Sequence, residues 1–365
     1  MMAYEANLSL PRNQPSRAAL WLSTTLLLLG GGCSRSSSLP QRLPEGAFME
    51  MAGGSISTVH PGPLDAMNVY ASNVAIRTNA KKVDGSEVCS GVLMNSSHVL
   101  TAGHCLCMRR SVSTDESRAA LRKRLDEVLP SRGKTESEKR ELDNLKARVV
   151  KNAATVLDAT LCAAEGDVKF VEYLPPRPNI KSKATSTEYR GAAIRPHPGL
   201  LIVEDAAGTT WFREADLAII RLAAPVEESF RTARLPDAEI QLGNRVVMVG
   251  YGFGANGSTT NDFGDRHYGE SQVIGIERIP SGSVKFLTRK QPRGDGPPPR
   301  LYSGDSGGGC FSQTDDTVLV GIASAVWKDG ESSIFTSVYP YKQWIKEELK
   351  KADAALTGDT TSVAP

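Results

Sequence analysis

Short apolar runs separated by turn residues occupy two stretches of the chain, and both stretches predict β-strands. The first contains NVAIRT at 73–78 and CSGVLMNSSHVLTA at 89–102; the second begins near residue 192 and contains, in order, DLAIIRL, RVVMVGYG, SVKFLT, TVLVGIASAVW and SIFTSVY. Runs of this length, rich in β-branched residues and bounded by Gly, Pro, Asn and Ser, are typical of all-β folds. The chain then ends with YKQWIKEELKK, which predicts a helix, and with a polar segment, 353–365, that is expected to be disordered.

Residues 114–159 interrupt this strand pattern with a charged sequence that is rich in helix formers. Apolar residues recur at helical spacing in two groups, which are Leu121, Leu125 and Val128, then Leu142, Leu145 and Val149. A Pro-Ser-Arg-Gly turn separates the two groups. The segment therefore predicts a helical hairpin inserted into a β protein. Its charge density predicts that the hairpin is solvated and part of neither barrel. It would be a mere surface decoration, or it would gate substrate access or bind a partner that the sequence does not identify.

The N-terminal segment, 1–33, has the pattern of an export signal. An apolar run at 18–29 follows Arg12 and Arg17 and is too short to span a bilayer, so it predicts a signal peptide. Gly30-Gly31-Gly32-Cys33 follows and resembles a bacterial lipobox, although Gly30 stands where leucine is expected. Lipidation of Cys33 is the first interpretation, and an ordinary secretory signal is the alternative. Residues 34–66 are then a linker or propeptide, and the protein is expected in the cell envelope or outside the cell.

Composition and cysteine count narrow the function classes further. The 365 residues carry a formal net charge of +2, which provides no broad basic field for nucleic acid. Apart from Cys33, an odd number of cysteines remains, so one thiol is expected to be free in an oxidising compartment; these are Cys89, Cys105, Cys107, Cys162 and Cys310. Cys105 and Cys107 beside His104 suggest zinc, but no second ligand pair lies at metal spacing, so disulfides are favoured. No metal or organic cofactor is expected.

A glycine-rich box, Gly304-Asp305-Ser306-Gly307-Gly308, marks a candidate nucleophile. A serine hydroxyl attacks a carbonyl effectively only when a base removes its proton and N–H groups hold the oxyanion. The G-x-S-x-G pattern also fits the nucleophile elbow of α/β-hydrolases, in which the histidine follows the serine. Here all five histidines precede Ser306, which excludes that interpretation.

The order that remains is histidine, aspartate, serine, and the three surrounding motifs resemble those of the trypsin/chymotrypsin family of serine endopeptidases. TAGHC at 101–105 resembles the family's histidine box, DLAIIRL at 216–222 its aspartate-initiated strand, and GDSGGG at 304–309 its serine box. VGYG at 249–252, LVGIAS at 319–324 and the C-terminal helix add to the resemblance. It covers residues 69–350, which is most of the chain after the signal segment.

This resemblance implies a domain over 67–352 made of two six-stranded antiparallel β-barrels, with the site between them. Ser306 would attack the scissile carbonyl of a protein or peptide substrate, His104 would act as the base, and Asp216 would orient His104. Asp205 also lies between His104 and Ser306, but Asp216 is preferred because it directly precedes an apolar strand. Backbone amides of Gly304 and Ser306 would form the oxyanion hole.

The resemblance also implies a Cys89–Cys105 disulfide that braces the histidine loop. Cys107 and Cys162 flank the inserted hairpin and are expected to join its base, with Cys162–Cys310 as the alternative. In the family, the aspartate before the nucleophile, here Asp305, pairs with a new N-terminal ammonium after zymogen cleavage. The nearest candidate for such a start is the Met-Ala-Gly-Gly sequence at 51–54.

The residue six positions before the nucleophile lies at the base of the family's primary specificity pocket, and here it is Arg300. A guanidinium there would repel Lys or Arg at the cleaved position and, if it points inward, would suit Asp or Glu. The alternatives are that Arg300 turns to solvent or plugs the pocket. Ser324 would line the same pocket, and Val326 would narrow it in favour of small residues. A second functional class, a catalytically inactive or zymogen-locked binding module that keeps the barrels, is the alternative to a protease.

Overall fold

The computed structural model describes residues 62–78, 88–131, 133–164, 166–173, 184–252, 265–279, 281–289, 299–326 and 332–357. All of them belong to one compact unit, Ala52–Pro365. The predicted signal peptide with Cys33, most of the predicted linker and the candidate start at 51–54 lie outside the described residues. Among the helices in the described ranges, none is long and apolar enough to cross a membrane.

The described chain contains mostly short strands, as the apolar runs predict. They are β1 (Asn73–Thr78), β2 (Val88–Asn95), β3 (His98–Thr101), β4 (Cys107–Ser111), β5 (Thr155–Cys162), β6 (Gly166–Tyr173), β7 (Ala184–Pro196), β8 (Leu201–Glu204), β9 (Thr210–Glu214), β10 (Ala218–Leu222), β11 (Arg245–Gly250), β12 (His267–Arg278), β13 (Val284–Arg289), β14 (Gly309–Ser312), β15 (Asp315–Val326) and β16 (Ser333–Ser337). The helices are α1 (Asp115–Val128), α2 (Glu136–Asn152) and α3 (Lys342–Thr357), and single 3-10 turns lie at Gly103–Cys105 and Tyr339–Tyr341.

Twelve of these strands close into two antiparallel barrels, which confirms the predicted fold class. The first barrel has the order β1-β2-β3-β10-β7-β6, and the second has the order β11-β12-β13-β16-β15-β14. Inward-facing aliphatic and aromatic side chains fill each barrel, including Ile76, Val92 and Leu100 in the first and Met248, Phe286 and Phe335 in the second. Closure leaves no open sheet edge in either barrel, so each strand pairs on both sides.

The inserted helices form as predicted, and each begins at a threonine cap. Thr114 accepts a hydrogen bond from the Ser117 amide at 3.1 Å, and Thr135 accepts one from the Glu138 amide at 3.3 Å. Ser117 and Glu138 reach back to the capping residue's own amide, so both helices start with a reciprocal capping box.

The hairpin lies outside both barrels, as predicted, but the prediction that it is a solvated surface element is wrong. The helices cover a third sheet, of order β4-β5-β8-β9, which the sequence did not predict. Leu125 of α1 is fully buried in a cluster shared by helices and sheet, together with Leu121, Leu142, Val149, Val156, Leu201, Val203 and Phe212. The first residues of β5 also belong to the segment that was assigned to helix. The insertion thus has its own core, which continues into the strands that lead to Asp216.

Three further features differ from the prediction: two strands that it missed, the N-terminal limit of the folded unit and the end of helix α3. The strands β6 and β7 complete the first barrel although their sequences contain few consecutive apolar residues. Residues 62–66, expected to be linker, already pack on the folded unit, because Leu64 bridges to His267 and Asp65 is 1% exposed. Helix α3 continues to Thr357, into the segment predicted to be disordered.

Both predicted disulfides are present. Cys89 is bonded to Cys105 and Cys107 to Cys162, while Cys310 is free and buried. The alternative Cys162–Cys310 pairing is therefore wrong. Burial raises the pKa of the Cys310 thiol well above its usual range, so this thiol stays protonated and unreactive.

Candidate active site

Two neighbouring strands bring His104 and Asp216 together. Strand β3 ends just before the turn that carries His104, and β10 begins just after Asp216. The two strands are antiparallel neighbours, with Ala218 opposite Thr101, so the end of one lies beside the start of the other. The apolar sequences of these strands fix the histidine and aspartate side by side although they are far apart in the chain.

A strained turn aims the Asp216 carboxylate at the histidine loop. Ala215 has a φ of 45°, in the left-handed region that non-glycine residues rarely adopt, and the Leu217 amide donates to the Ala215 carbonyl at 2.7 Å. Asp216 Oδ1 then accepts the His104 backbone amide at 2.9 Å, and Oδ2 lies 2.8 Å from His104 Nδ1. Two contacts from one carboxylate fix both the loop and the ring.

Asp216 is fully buried and negatively charged. Burial alone would raise the pKa of this carboxyl, but the charges of His104 and Arg213 and the hydrogen bonds of His104 and Ser324 lower the pKa well below its usual range. Ser324 Oγ donates to Oδ2 at 2.5 Å. Ser324 was predicted to line the substrate pocket, and the structure places its hydroxyl on the candidate catalytic aspartate.

Arg213, which the sequence analysis did not single out, also contacts Asp216. Its Nη1 lies 2.9 Å from Asp216 Oδ2, 3.1 Å from the Ser324 carbonyl oxygen and 3.0 Å from Ser324 Oγ. The only available signal was its position three residues before Asp216, next to Glu214 in the short strand β9. Asp205, the rival aspartate, is instead a half-buried residue at a turn that accepts the Trp211 indole N–H at 2.9 Å.

The loop of Ser306 is wedged between the two barrels. The Ser90 amide of β2 donates to the Ser306 carbonyl at 2.7 Å, and the Gly307 amide donates to Ala323 of β15 at 2.8 Å. Cys105 Sγ lies 3.5 Å from the same Ser306 carbonyl oxygen, so this loop contacts the residue that follows His104. Gly307 has a φ of 83°, and a Cβ there would lie 2.1 Å from Thr101 Oγ1, so only glycine fits.

The predicted oxyanion hole has two available donors. Gly304 has a φ of 93°, and a Cβ there would lie 2.7 Å from Gly252 Cα, which again requires glycine. The Gly304 carbonyl accepts a hydrogen bond from Ser90 Oγ at 2.9 Å, which fixes the orientation of the turn. Within the described part of the chain, the amides of Gly304 and Ser306 donate to no protein acceptor. Both are free to bind an oxygen atom from a substrate.

Asp305 is buried behind the serine loop, with both oxygens on backbone amides. Oδ1 accepts from Gly252 and Oδ2 from Tyr302, each at 2.9 Å. Burial raises the pKa of Asp305 to about 7, although those two amides oppose the rise. No cation among the described residues contacts this carboxylate, and an upstream N-terminal partner would lie outside the described ranges.

Arg300 is half-buried, and its side chain packs against and hydrogen-bonds a neighbouring tyrosine. Its Nε donates to Tyr302 Oη at 2.8 Å, and its guanidinium carbon lies 4.7 Å from the centre of the Tyr302 ring. Val326, at the end of β15, is 40% exposed. The structure thus fixes Arg300 through an aromatic contact, and its prediction as a pocket residue stays a prediction.

The zinc alternative is excluded, because Cys105 and Cys107 each form a disulfide. The ranges that the structure describes contain no group of three or more His, Cys, Asp or Glu residues arranged to hold a metal.

Comparison with known proteins agrees with this geometry. The family model described as Trypsin matches residues 67–181 and 149–345, which together span most of the chain. The chain therefore belongs to the trypsin family, the class that its two barrels define. A search of curated proteins finds no match.

Proposed function

We propose that this chain is an exported serine endopeptidase that uses Ser306, His104 and Asp216 to cleave protein substrates. The observation that carries the proposal is the double contact of buried Asp216 with the His104 ring and amide. An ionised carboxylate only accepts hydrogen bonds, so Nδ1 of His104 carries the proton and Nε2 is the unprotonated nitrogen that can act as a base. A histidine held in this tautomer is the base that a serine nucleophile requires.

The reaction then follows from the roles of these groups. Ser306 Oγ attacks the scissile carbonyl carbon while His104 Nε2 takes the hydroxyl proton, and the Gly304 and Ser306 amides stabilise the oxyanion. His104 gives that proton to the leaving amine, which departs and leaves an acyl-Ser306 ester. Water attacks the ester in the second half, again through His104, and releases the acid product.

Export rests on the N-terminal sequence alone. The apolar run at 18–29 and the Gly-Gly-Gly-Cys sequence that follows support a signal peptide with lipidation at Cys33. The protein would then act at a membrane surface in the cell envelope, or as a secreted enzyme if Cys33 is not modified. The two disulfides are compatible with an oxidising compartment.

One observation favours the second candidate, a zymogen-locked form. Asp305 is buried, and in the described residues it has backbone amides but no cation as partners. A new N-terminal ammonium released by cleavage upstream of residue 62 would supply that charge. The proposed enzyme would then gain activity on limited proteolysis.

A peptide-library cleavage profile tests the function and the pocket together. The mature protein, before and after limited proteolysis, is expected to cut peptides, and Ser306→Ala is expected to cut none. We expect few cuts after Lys or Arg, because bringing a second cation against the half-buried Arg300 guanidinium is unfavourable. Arg300→Ala should raise the relative rate of cutting after Lys and Arg, whereas Arg300→Lys, the matched control, should not.

Two results of that profile would contradict the proposed function, and a third would contradict the pocket assignment of Arg300. Absence of cutting by folded wild-type protein in both states would indicate a binding module. Cutting that persists in Ser306→Ala would place the nucleophile elsewhere. Dominant cutting after Lys or Arg by the wild type would show that Arg300 does not line the pocket.

A further inference from the structure

The Arg213 side chain places a permanent cation on the carboxylate that holds His104. Its Nη1 lies 2.9 Å from Asp216 Oδ2, the same oxygen that lies 2.8 Å from His104 Nδ1. The Arg213 side chain is 11% exposed and that of Asp216 is 0% exposed, so solvent screens this pair weakly. The negative charge of Asp216 therefore interacts with two groups at once, the imidazole of His104 and the guanidinium of Arg213.

We propose that Arg213 is a positioning residue that keeps His104 unprotonated, and able to act as a base, at lower pH than Asp216 alone would allow. The inference rests on the proposed function, because it concerns the same acyl transfer. In this proposal Arg213 acts through Asp216 and Ser324 and does not itself contact the substrate.

The physical basis is the net charge of the buried group before and after His104 gains a proton. With Arg213 present, guanidinium, carboxylate and neutral imidazole sum to zero, and protonation of His104 creates a net positive charge. Without Arg213, the carboxylate and neutral imidazole carry a net negative charge, which protonation removes. Because a poorly solvated site disfavours net charge, Arg213 makes protonation of His104 harder.

The other titratable groups around this site have their own partners, which are different from Asp216. Glu214, next to Arg213 in β9, accepts hydrogen bonds from Ser281 and Ser283 at 2.9 and 2.8 Å. Asp305 accepts backbone amides behind the serine loop. The His197 ring packs edge-on against Tyr341 and Trp344, with ring centres 4.9 and 4.7 Å apart. Within the described residues, Arg213 is the one arginine or lysine that hydrogen-bonds Asp216.

Arg213 also holds Ser324 of β15 next to the carboxylate. The same Nη1 donates to the Ser324 carbonyl and hydroxyl, and that hydroxyl donates to Asp216. This ties β9 of the third sheet to β15 of the second barrel. A structural role of this kind would alter rate or stability, but it would not by itself move a titration, so the two roles are separable.

The test compares Arg213→Gln, which keeps a donor and removes the charge, with Arg213→Lys, which keeps the charge. The acid limb of the pH profile of kcat/KM is expected to move up by about one pH unit in Arg213→Gln, the size of effect typical of a nearby charge. In Arg213→Lys it is expected to stay close to that of the wild type. An unchanged midpoint in folded Arg213→Gln, whatever its rate, would overturn the proposal.

A second measurement separates this proposal from the proposed function. Titration of the His104 ring by NMR in a Ser306→Ala background requires no turnover. Adding Arg213→Gln to that background is expected to raise the midpoint of the His104 titration by a similar amount. An inactive wild type with this shift would contradict the protease while supporting the role of Arg213, and an absent shift in a folded double variant would overturn that role.

Discussion

Replacing Asp216 with asparagine is expected to lower kcat/KM by about 10⁴-fold near neutral pH. The carboxylate accepts from both His104 and Arg213, whereas an asparagine amide offers one acceptor oxygen and a nitrogen that only donates. A donor facing His104 favours the tautomer with the proton on Nε2, and that tautomer is unable to deprotonate Ser306. The measurement is the steady-state rate of peptide or ester hydrolysis at several pH values.

Ser324→Ala is the matched control, because it removes one hydrogen bond to the same carboxylate and leaves its charge. The bond from Ser324 Oγ is 2.5 Å long, and its loss is expected to cost roughly tenfold in rate. Asp216→Asn with a loss no larger than that of Ser324→Ala would contradict the role assigned to Asp216. Circular dichroism of both variants checks that they are folded.

Replacing Arg266 with methionine is expected to lower the free energy of unfolding by about 3–5 kcal/mol, because it leaves a buried charge unpaired. Arg266 is 0% exposed, and its Nε donates to Asp65 at 2.8 Å. Its remaining nitrogens donate to the Val171 carbonyl, Tyr251 Oη and Asn68 Oδ1. One guanidinium therefore joins the segment before β1 to β6 of the first barrel and to the residue that follows β11 of the second.

The same network supports the serine loop. The Tyr251 backbone amide donates a hydrogen bond to Ser90 Oγ at 3.0 Å, and Ser90 Oγ in turn donates to the Gly304 carbonyl. Loss of Arg266 removes a donor from Tyr251, so the turn that carries the proposed oxyanion donor should also become less ordered.

Urea unfolding of single and double variants measures the effect. Asp65→Asn and Arg266→Met are each expected to destabilise strongly, and the double variant is expected to cost less than the sum, because neither charge is left alone. Arg234→Gln is the control, since the 2.7 Å Arg234–Asp315 pair is largely exposed and should contribute less than about 1 kcal/mol. Equal effects at the buried and exposed pairs would contradict this account.

The elements next to the site were the most predictable ones. The strand before His104, the strand after Asp216 and the glycine box around Ser306 all carry strong local signals, namely continuous apolar runs and glycines at positions with positive φ. Their order along the chain then excluded one hydrolase class. In these segments local sequence and tertiary environment favour the same structure.

Other elements have no such local signal. Strand β7 is exposed along most of its length, so its polar sequence, ATSTEYRGAAIRP, shows no apolar run. The third sheet depends on pairing between β5 and β8, which lie on opposite sides of β6 and β7 in the chain. The Arg213–Asp216 contact depends on the left-handed turn at Ala215. Alanine does not favour that conformation, so the sequence does not predict the turn.

Labelling with a fluorophosphonate probe tests the central claim, that Ser306 is an activated nucleophile, most directly. The probe reacts with a serine only when a base and an oxyanion site activate it. The account predicts that mature wild-type protein, after limited proteolysis if Asp305 requires a new N-terminus, is labelled on Ser306 and that folded Ser306→Ala is not labelled. A folded wild type that resists the probe in both states, or label that persists in Ser306→Ala, would contradict it.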